Sequence, residues 1–471
     1  MSALELARWQ FGVTTTYHFI FVPISIGLAL VVASFQTAHH RTGNPVYHRL
    51  TRFFGKLMLL SFAVGLVTGI VQEFQFGMNW SDYSRFVGDV FGAPLAMEAL
   101  IAFFLESTFI GLWIFGRNRL KPSVHLATIW AVAIGSMFSA YFILAANAWM
   151  QHPVGFKIVE ETGRAEMTSI WAVLTNSTAL YAFAHTILAA ISTAGMILLG
   201  VSAYYMLKKR DVDVFRPAAK VGAAAAFVAV ALTMTVGHFQ AQLMTEQQPM
   251  KMAAAEALYE TEDAAPLSLF AVAPFEARPD RSSFDIGIPG GLSFLSTNSF
   301  TGQVEGVNDI QAQYVEQFGP GEYRPIIGIT YWSFRLMIGA GTLIFVIAGI
   351  GLWLWRRGTL DSSAWFHKIA IGAIALPIVA NLTGWLFTEM GRQPWVVQGQ
   401  LFTSNANSPS VSAGLVSTSL IGFTLLYGVL AGVAGWIAVR IIKAGAEPEA
   451  DASAAPTTTS GGDPTAPPMA Y

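Results

Sequence analysis

Nine apolar runs of about 20 residues follow one another along the chain, parted by mostly short polar segments. They lie near Thr14–Thr37, Phe53–Val71, Pro94–Phe115, Leu126–Trp149, Ala179–Leu207, Ala218–Gln242, Thr330–Trp355, Ile369–Met390 and Val411–Ile442. Runs of that length are what an α-helix needs to cross a hydrocarbon core, so the pattern predicts an all-α polytopic membrane protein. Glu5 and Arg8 precede a first run too long for a signal peptide, with no small-residue cleavage site.

The polar segments set a direction. Arg41, Arg49, Arg52 and Lys56 lie in or beside the first connection, and Arg117, Arg119 and Lys121 in the third. The fifth has Lys208, Lys209, Arg210 and Arg216, and the seventh Arg356, Arg357 and Lys368. The second and eighth carry one arginine each near a helix end, Arg85 and Arg392. Positive loops stay inside, so the amino terminus is expected outside a bacterial plasma membrane and the carboxyl terminus in the cytoplasm.

Two stretches break the simple bundle. Residues 244–327, between helices 6 and 7, form a long outer loop with twelve acidic and four basic side chains. A connection of that length is usually functional. Residues 444–471, rich in Ala, Pro, Thr and Gly, read as a disordered cytoplasmic tail. The expected division is thus 1–243 (six helices), 244–327 (loop), 328–443 (three helices) and 444–471 (tail). No internal repeat is visible, so the inverted-repeat signature of transporters is missing.

Composition narrows the class. Of 471 residues, 54% are hydrophobic and only 12% charged, too few to coat a soluble multidomain enzyme. A net charge of −2 excludes a nucleic-acid partner, which needs a basic face. With no cysteine, disulfides, zinc-thiolate sites, iron–sulfur clusters and thiolate-bound haem are all excluded.

A charged group at the bilayer centre costs about 2.5–3.5 kcal/mol on insertion scales, so each one inside a run needs a reason. These are His18, Glu98, Glu106, His185, His238 and Glu389, with Met337 as a softer candidate. His18, Glu98, His185 and Met337 fall in the first two turns or so of runs entering from outside, and Glu389 ends a run leaving there. The expectation is one outer layer of ligands beneath the long loop. A His/Met pair, His185 with Met337, suits a low-spin electron-transferring haem. His18 and Glu389, unpaired, suit haems with an open face. The remaining histidines lie mostly in or beside loops, too few for a copper–haem centre. Each residue also has a plain structural alternative. A membrane histidine can donate between helices, Met337 can pack the core, Glu389 can pair with Arg392, and Glu106 can make a buried hydrogen bond. Glu98 and Glu106 are about 12 Å apart along a regular helix and 80° around it, and burial makes such carboxyls proton carriers. Ser139 is a possible companion.

The segment Gly384–Trp395, GWLFTEMGRQPW, is similar to the GWxxxExGRQPW signature of subunit I of cytochrome bd quinol oxidase. Gln248–Ala257 (QPMKMAAAEA) resembles that family's quinol-loop motif. Arg8-Trp-Gln-Phe-Gly, Tyr17-His18-Phe, Glu98 with Glu106, His185 and Tyr331–Met337 match in order, so the resemblance spans the chain to about Arg440. It implies a terminal oxidase that oxidises quinol at the outer face and reduces dioxygen to water at a high-spin di-haem site, without pumping. His185 and Met337 would hold haem b558, and His18 and Glu389 the pair haem b595 and haem d in an order left open. Glu98 would lie beside that pair, and Glu106 with Ser139 on a proton path. Lys251 and Glu256 would act in quinol oxidation. Arg335, Trp385 and Arg392 would support the haems. The substrate would be ubiquinol or menaquinol. The partners would be a second large membrane subunit, subunit II, and small single-helix subunits. The stretch between helices 6 and 7 lacks the large insertion of long-loop members, so it resembles the short-loop branch. An oxidase with only b-type haems would share these motifs; a haem-free transporter would need discontinuous helices, of which no clear pair is seen.

Overall fold

The computed structural model describes residues 1–271 and 285–447. Among them nine spans are long and apolar enough to cross a membrane. They are α1 (Ala3–Thr42), α2 (Pro45–Met78), α3 (Ser81–Met97) continued through a π-helical segment (Glu98–Phe103) into α4 (Phe104–Phe115), and α5 (Pro122–Gln151). Next come the short α6 (Ile170–Leu174) running on into α7 (Ser177–Leu207), and α8 (Val212–Gln247). The outer segment holds α9 (Pro249–Glu256), α10 (Gly291–Thr297) and α11 (Val307–Phe318). The last spans are α12 (Ile327–Arg356), α13 (Ala364–Gly372) with α14 (Ala375–Met390), and α15 (Ala413–Ala444). Strands are confined to small antiparallel pairs outside the spans, such as Phe156–Val159 with Arg164–Met167.

The helices outrun the apolar runs because their polar ends are capped. At α1, Ser2 Oγ accepts from Glu5 N–H (3.2 Å) while Glu5 accepts from Ser2 N–H (2.7 Å), so the helix starts at Ala3 rather than Thr14. Asn44 caps α2 ahead of Pro45, and Gly43, at φ 66°, ends α1 in the left-handed region. His18 therefore lies about four turns into its helix and Glu98 nearly five turns into its span, deeper along the helix than the two turns expected.

The α6–α7 span is the most buried and α15 the least. Small residues let the inner helices touch. A Cβ at Gly27 of α1 would lie 2.2 Å from Ala190 O on α7, and one at Gly195 of α7 would lie 2.7 Å from Ala226 N on α8. The basic connections gather at one end. Arg49 pairs with Asp211 (3.0 Å), and Arg52 with Glu447 (2.5 Å). The tail thus begins ordered: Arg49 donates to the Ala446 and Glu447 carbonyls (2.9 and 3.1 Å). The disorder expected from 444 is corrected for 444–447, which basic side chains hold; 448–471 lie outside the described residues.

At the other end the long loop is not a bare connection. Met250, Tyr259, Val307, Ile310, Tyr314 and Tyr323 form one core with Tyr331 of α12 and with Trp395. That core seats α9 against the turn following α14.

Candidate functional site

One cavity of ≈ 1440 Å³ runs between the spans beneath α9. Single small-molecule pockets reach about 300–1,000 Å³, so it is larger than one such ligand needs. His18, His185, Met337 and Glu389 all face it. So do Glu98, Glu106 and Ser139, and then Lys251, Trp385 and Arg392. Glu256 and Arg335 lie behind its wall as a buried ion pair.

His18 is held in a ligating tautomer. Thr68 of α2 donates its hydroxyl to Val64 O (2.9 Å), so it accepts from His18 Nδ1–H (3.0 Å). That leaves the Nε2 lone pair for a metal. Gly69 abuts the ring: a Cβ there would lie 3.1 Å from His18 Cε1. His185 is set differently. Its buried Nδ1 has no hydrogen-bond partner. Gly237 of α8 lies at its edge, where a Cβ would make ordinary contact with Cε1 at 3.4 Å. Across the site, Met337 of α12 lies over Gly384 of α14, where a Cβ would fall 2.8 Å from the thioether sulfur. Among the described residues no three His, Asp or Glu gather as a bare-ion site. Two imidazoles, a thioether and a carboxylate, each lying alone on a glycine-relieved or cavity-facing wall, fit the axial positions of haem iron.

Glu389, one residue from the end of α14, accepts from Asn147 Nδ2 (2.9 Å) and pairs with Arg392. The ion-pair alternative is thus formed, and it leaves the carboxylate facing the cavity. Arg392 also donates to Val396 O (2.6 Å). Asn147 continues the chain toward α9. Its Oδ1 accepts from Gln151 Nε2 (2.7 Å), one turn on along α5, and Gln151 Oε1 accepts from Lys251 Nζ (2.8 Å). Two amides therefore join the lysine of α9 to Glu389. Burial first, then repulsion from Arg392, pushes the Lys251 ammonium down to about 7, with Glu389 pulling the other way.

The carboxylates differ from the regular-helix picture. Glu98–Phe103 is π-helical, so the 80° offset from Glu106 does not hold. Ser139 donates to Glu98 (2.8 Å), not to Glu106. Glu106 has Ser136 within hydrogen-bonding reach and approaches α5 over Gly135, where a Cβ would lie 2.9 Å from its Cγ. Behind the wall Glu256 accepts from Ser268 N–H (3.1 Å), and the Ser268 hydroxyl lies 2.8 Å from that of Tyr331. Sequence reading missed Thr68, Glu73, Asn147 and Gln151. Glu73 faces the cavity from the last turns of α2 and lies within electrostatic range of Glu98. The uncharged amides gave no signal, though their four-residue spacing at the end of a run could have drawn notice.

The family model for cytochrome bd terminal oxidase subunit I matches residues 6–446. The chain belongs to this family. It is 46% identical to cytochrome bd ubiquinol oxidase subunit 1 of Bacillus subtilis (strain 168), covering 95% of each chain. It is 36% identical to cytochrome bd-II ubiquinol oxidase subunit 1 of Escherichia coli (strain K12), covering 90% of this chain and 93% of that one. The solved bd oxidase from Geobacillus thermodenitrificans superposes with a TM-score of 0.86 at 29% identity, covering 94% of this chain and 99% of that one. The family membership, the enzyme class that goes with it and the all-α membrane architecture thus agree with the motif reading.

Proposed function

We propose that this chain is the haem-bearing, quinol-oxidising subunit of a terminal oxidase. The observation that carries the reading is the convergence on one cavity of His18, His185, Met337 and Glu389, with Lys251 joined to Glu389 through Gln151 and Asn147. His185 and Met337 would hold haem b558, and His18 and Glu389 haem b595 and haem d. Bound haems would supply the electron transfer and oxygen-reducing chemistry. The chain's own groups place substrate and protons. Lys251 steadies the anionic oxygen that forms when ubiquinol or menaquinol loses a proton. Glu256, held by Arg335, is the carboxylate placed to take that proton. Glu98 with Ser139, and Glu106 with Ser136, hold protons on the way to oxygen. Arg335, Trp385 and Arg392 fix the surroundings, the arginine fork suiting propionates.

Two quinols give four electrons, and dioxygen takes these with four protons to make two waters. With quinol protons leaving outside and oxygen's protons drawn from inside, charge separates without a pump. Subunit II and small single-helix subunits would cover exposed lipid-height side chains such as Leu100, Phe104, Leu415 and Leu425. The basic end would face the cytoplasm. The reduced-minus-oxidised spectrum of the purified complex tests this. A long-wavelength chlorin band supports haem d, and its absence with b bands intact favours the b-only oxidase. His185→Ala should remove the b558 signal alone; retention of that signal overturns the assignment, and a haem-free protein overturns the whole reading.

A further inference from the structure

The outer segment contains a strand pair, Leu267–Ala271 against Asp285–Ile288, whose two faces differ in character. Leu267 opposes Ile288, Ser268 opposes Gly287 and, past a bulge, Phe270 opposes Ile286. Directly opposed residues share a face, and successive residues alternate. Ser268 is turned inward. It is buried, its N–H donates to Glu256 (3.1 Å), and its hydroxyl lies 2.8 Å from that of Tyr331. Phe270, Ile286 and Ile288 are turned the other way and are 44%, 52% and 48% exposed. No charged residue falls in 267–271 or 286–288, although the loop as a whole carries twelve acidic side chains.

The exposed face sits at a definable depth. The Phe270 ring meets Trp332 of α12 edge-on, at 5.4 Å between centroids. Trp332 stands 21 residues before Trp353, about 31 Å along the helix and close to the thickness of a hydrocarbon core. Tryptophans at that separation mark the two membrane interfaces. One and three turns beyond Trp332, Leu336 and Leu343 lie on the same side of α12, and both are exposed. The apolar face of the strand pair therefore adjoins the outer end of a lipid-facing stripe.

We propose that this face rests in the outer leaflet of the bilayer, with Phe270, Ile286 and Ile288 at the boundary of headgroups and acyl chains. Lipid contact on one face then holds Ser268, on the other, against Glu256. Continuity with the exposed stripe of α12 favours lipid over a protein cover, and an uncharged surface enters that boundary without burying a charge. The tie to Glu256 rests on the quinol-oxidising role proposed above; the lipid contact does not.

The chain has no cysteine, so one introduced thiol can be spin-labelled in the intact oxidase complex, with label taken up by the parent complex subtracted. Phosphatidylcholine discs are exposed to oxygen, which concentrates in hydrocarbon, or to a water-soluble nickel chelate. At Ile288→Cys oxygen collisions should dominate, as at Leu343→Cys; at Glu316→Cys, exposed on α11, nickel should dominate. Nickel dominance at Ile288→Cys would overturn the proposal, and so would a label shielded from both reagents, the mark of a protein cover. Adding Ile286→Asp should raise nickel collisions at Ile288→Cys and, in the unlabelled enzyme at full haem content, slow quinol oxidation several-fold. Ile286→Val should change neither. Parent-level oxidation in Ile286→Asp, where Glu256→Gln slows it, would refute the tie to Glu256. Parent-level oxidation in Glu256→Gln itself would count against the quinol reading instead, and the labels alone would then decide the lipid contact.

Discussion

Replacing Gln151 by Leu cuts the amide chain at its lysine end. Lys251 is 3% exposed, and Gln151 Oε1, at 2.8 Å, accepts from its ammonium. A hydrogen bond to a charged group contributes about 1.5–3 kcal/mol, and one pKa unit corresponds to about 1.4 kcal/mol. Losing the acceptor weakens only the charged form, so the Lys251 pKa should fall from about 7 by roughly one to two further units. The sign follows directly. The cation that steadies the quinol oxygen is lost as pH rises through that value, so the quinol KM should climb above about pH 7 in the parent enzyme. In Gln151→Leu the climb should begin roughly one to two pH units lower. Gln151→Glu places a carboxylate beside the ammonium and should move it the other way. Steady-state quinol oxidation across pH 5.5–9, with haem content measured alongside, reads both variants. Identical KM profiles for all three enzymes at full haem content would refute the link between this amide and Lys251.

Thr68→Val removes the acceptor that sets the His18 tautomer and should cost about 10–100-fold in retention of the haem bound there, seen by titrating haem loss from the purified complex. At Gly384, substitution by Ala puts a methyl against the Met337 sulfur; about 1–3 kcal/mol of overpacking should push the sulfur off, turning the low-spin haem signal high-spin. Ser139→Ala leaves Glu98 without its donor and should slow oxygen reduction several-fold at unchanged quinol KM. Glu73→Gln removes a cavity-facing carboxylate within electrostatic range of Glu98 and should slow the proton-coupled steps in single-turnover oxygen reaction while the haem spectrum stays intact.

The features legible in the sequence were those that charge and hydropathy report. His18, His185 and Glu389 stood out because each interrupts an apolar run, and cost alone demanded an account of them. Glu73 did not, since hydropathy falls away at Gln72 while α2 continues to Met78, and a carboxylate past the edge of a run looks solvated. Asn147 and Gln151 carry no charge, and amides near the end of a run are ordinary. The pairing of Ser139 with Glu98 depended on helical phase, and the π-helical turn shifted that phase without any mark in composition. Close packing at Gly69 and Gly384 was equally silent, because a glycine's neighbour across the bundle is a tertiary fact.

The π-helical turn also determines how this span would respond to a change in length. Six residues, Glu98–Phe103, occupy a turn wider than the α-helix on either side. Removing one of them would let the chain relax into a continuous α-helix, and because a π turn holds one residue more than an α turn, the helix beyond it would keep its phase. Glu106 would then stay over Gly135 with Ser136 in reach, and Glu98 against Ser139. A single-codon deletion between 99 and 103 is therefore a milder lesion than one in the α-helix on either side, which would turn the rest of the span by about 100°.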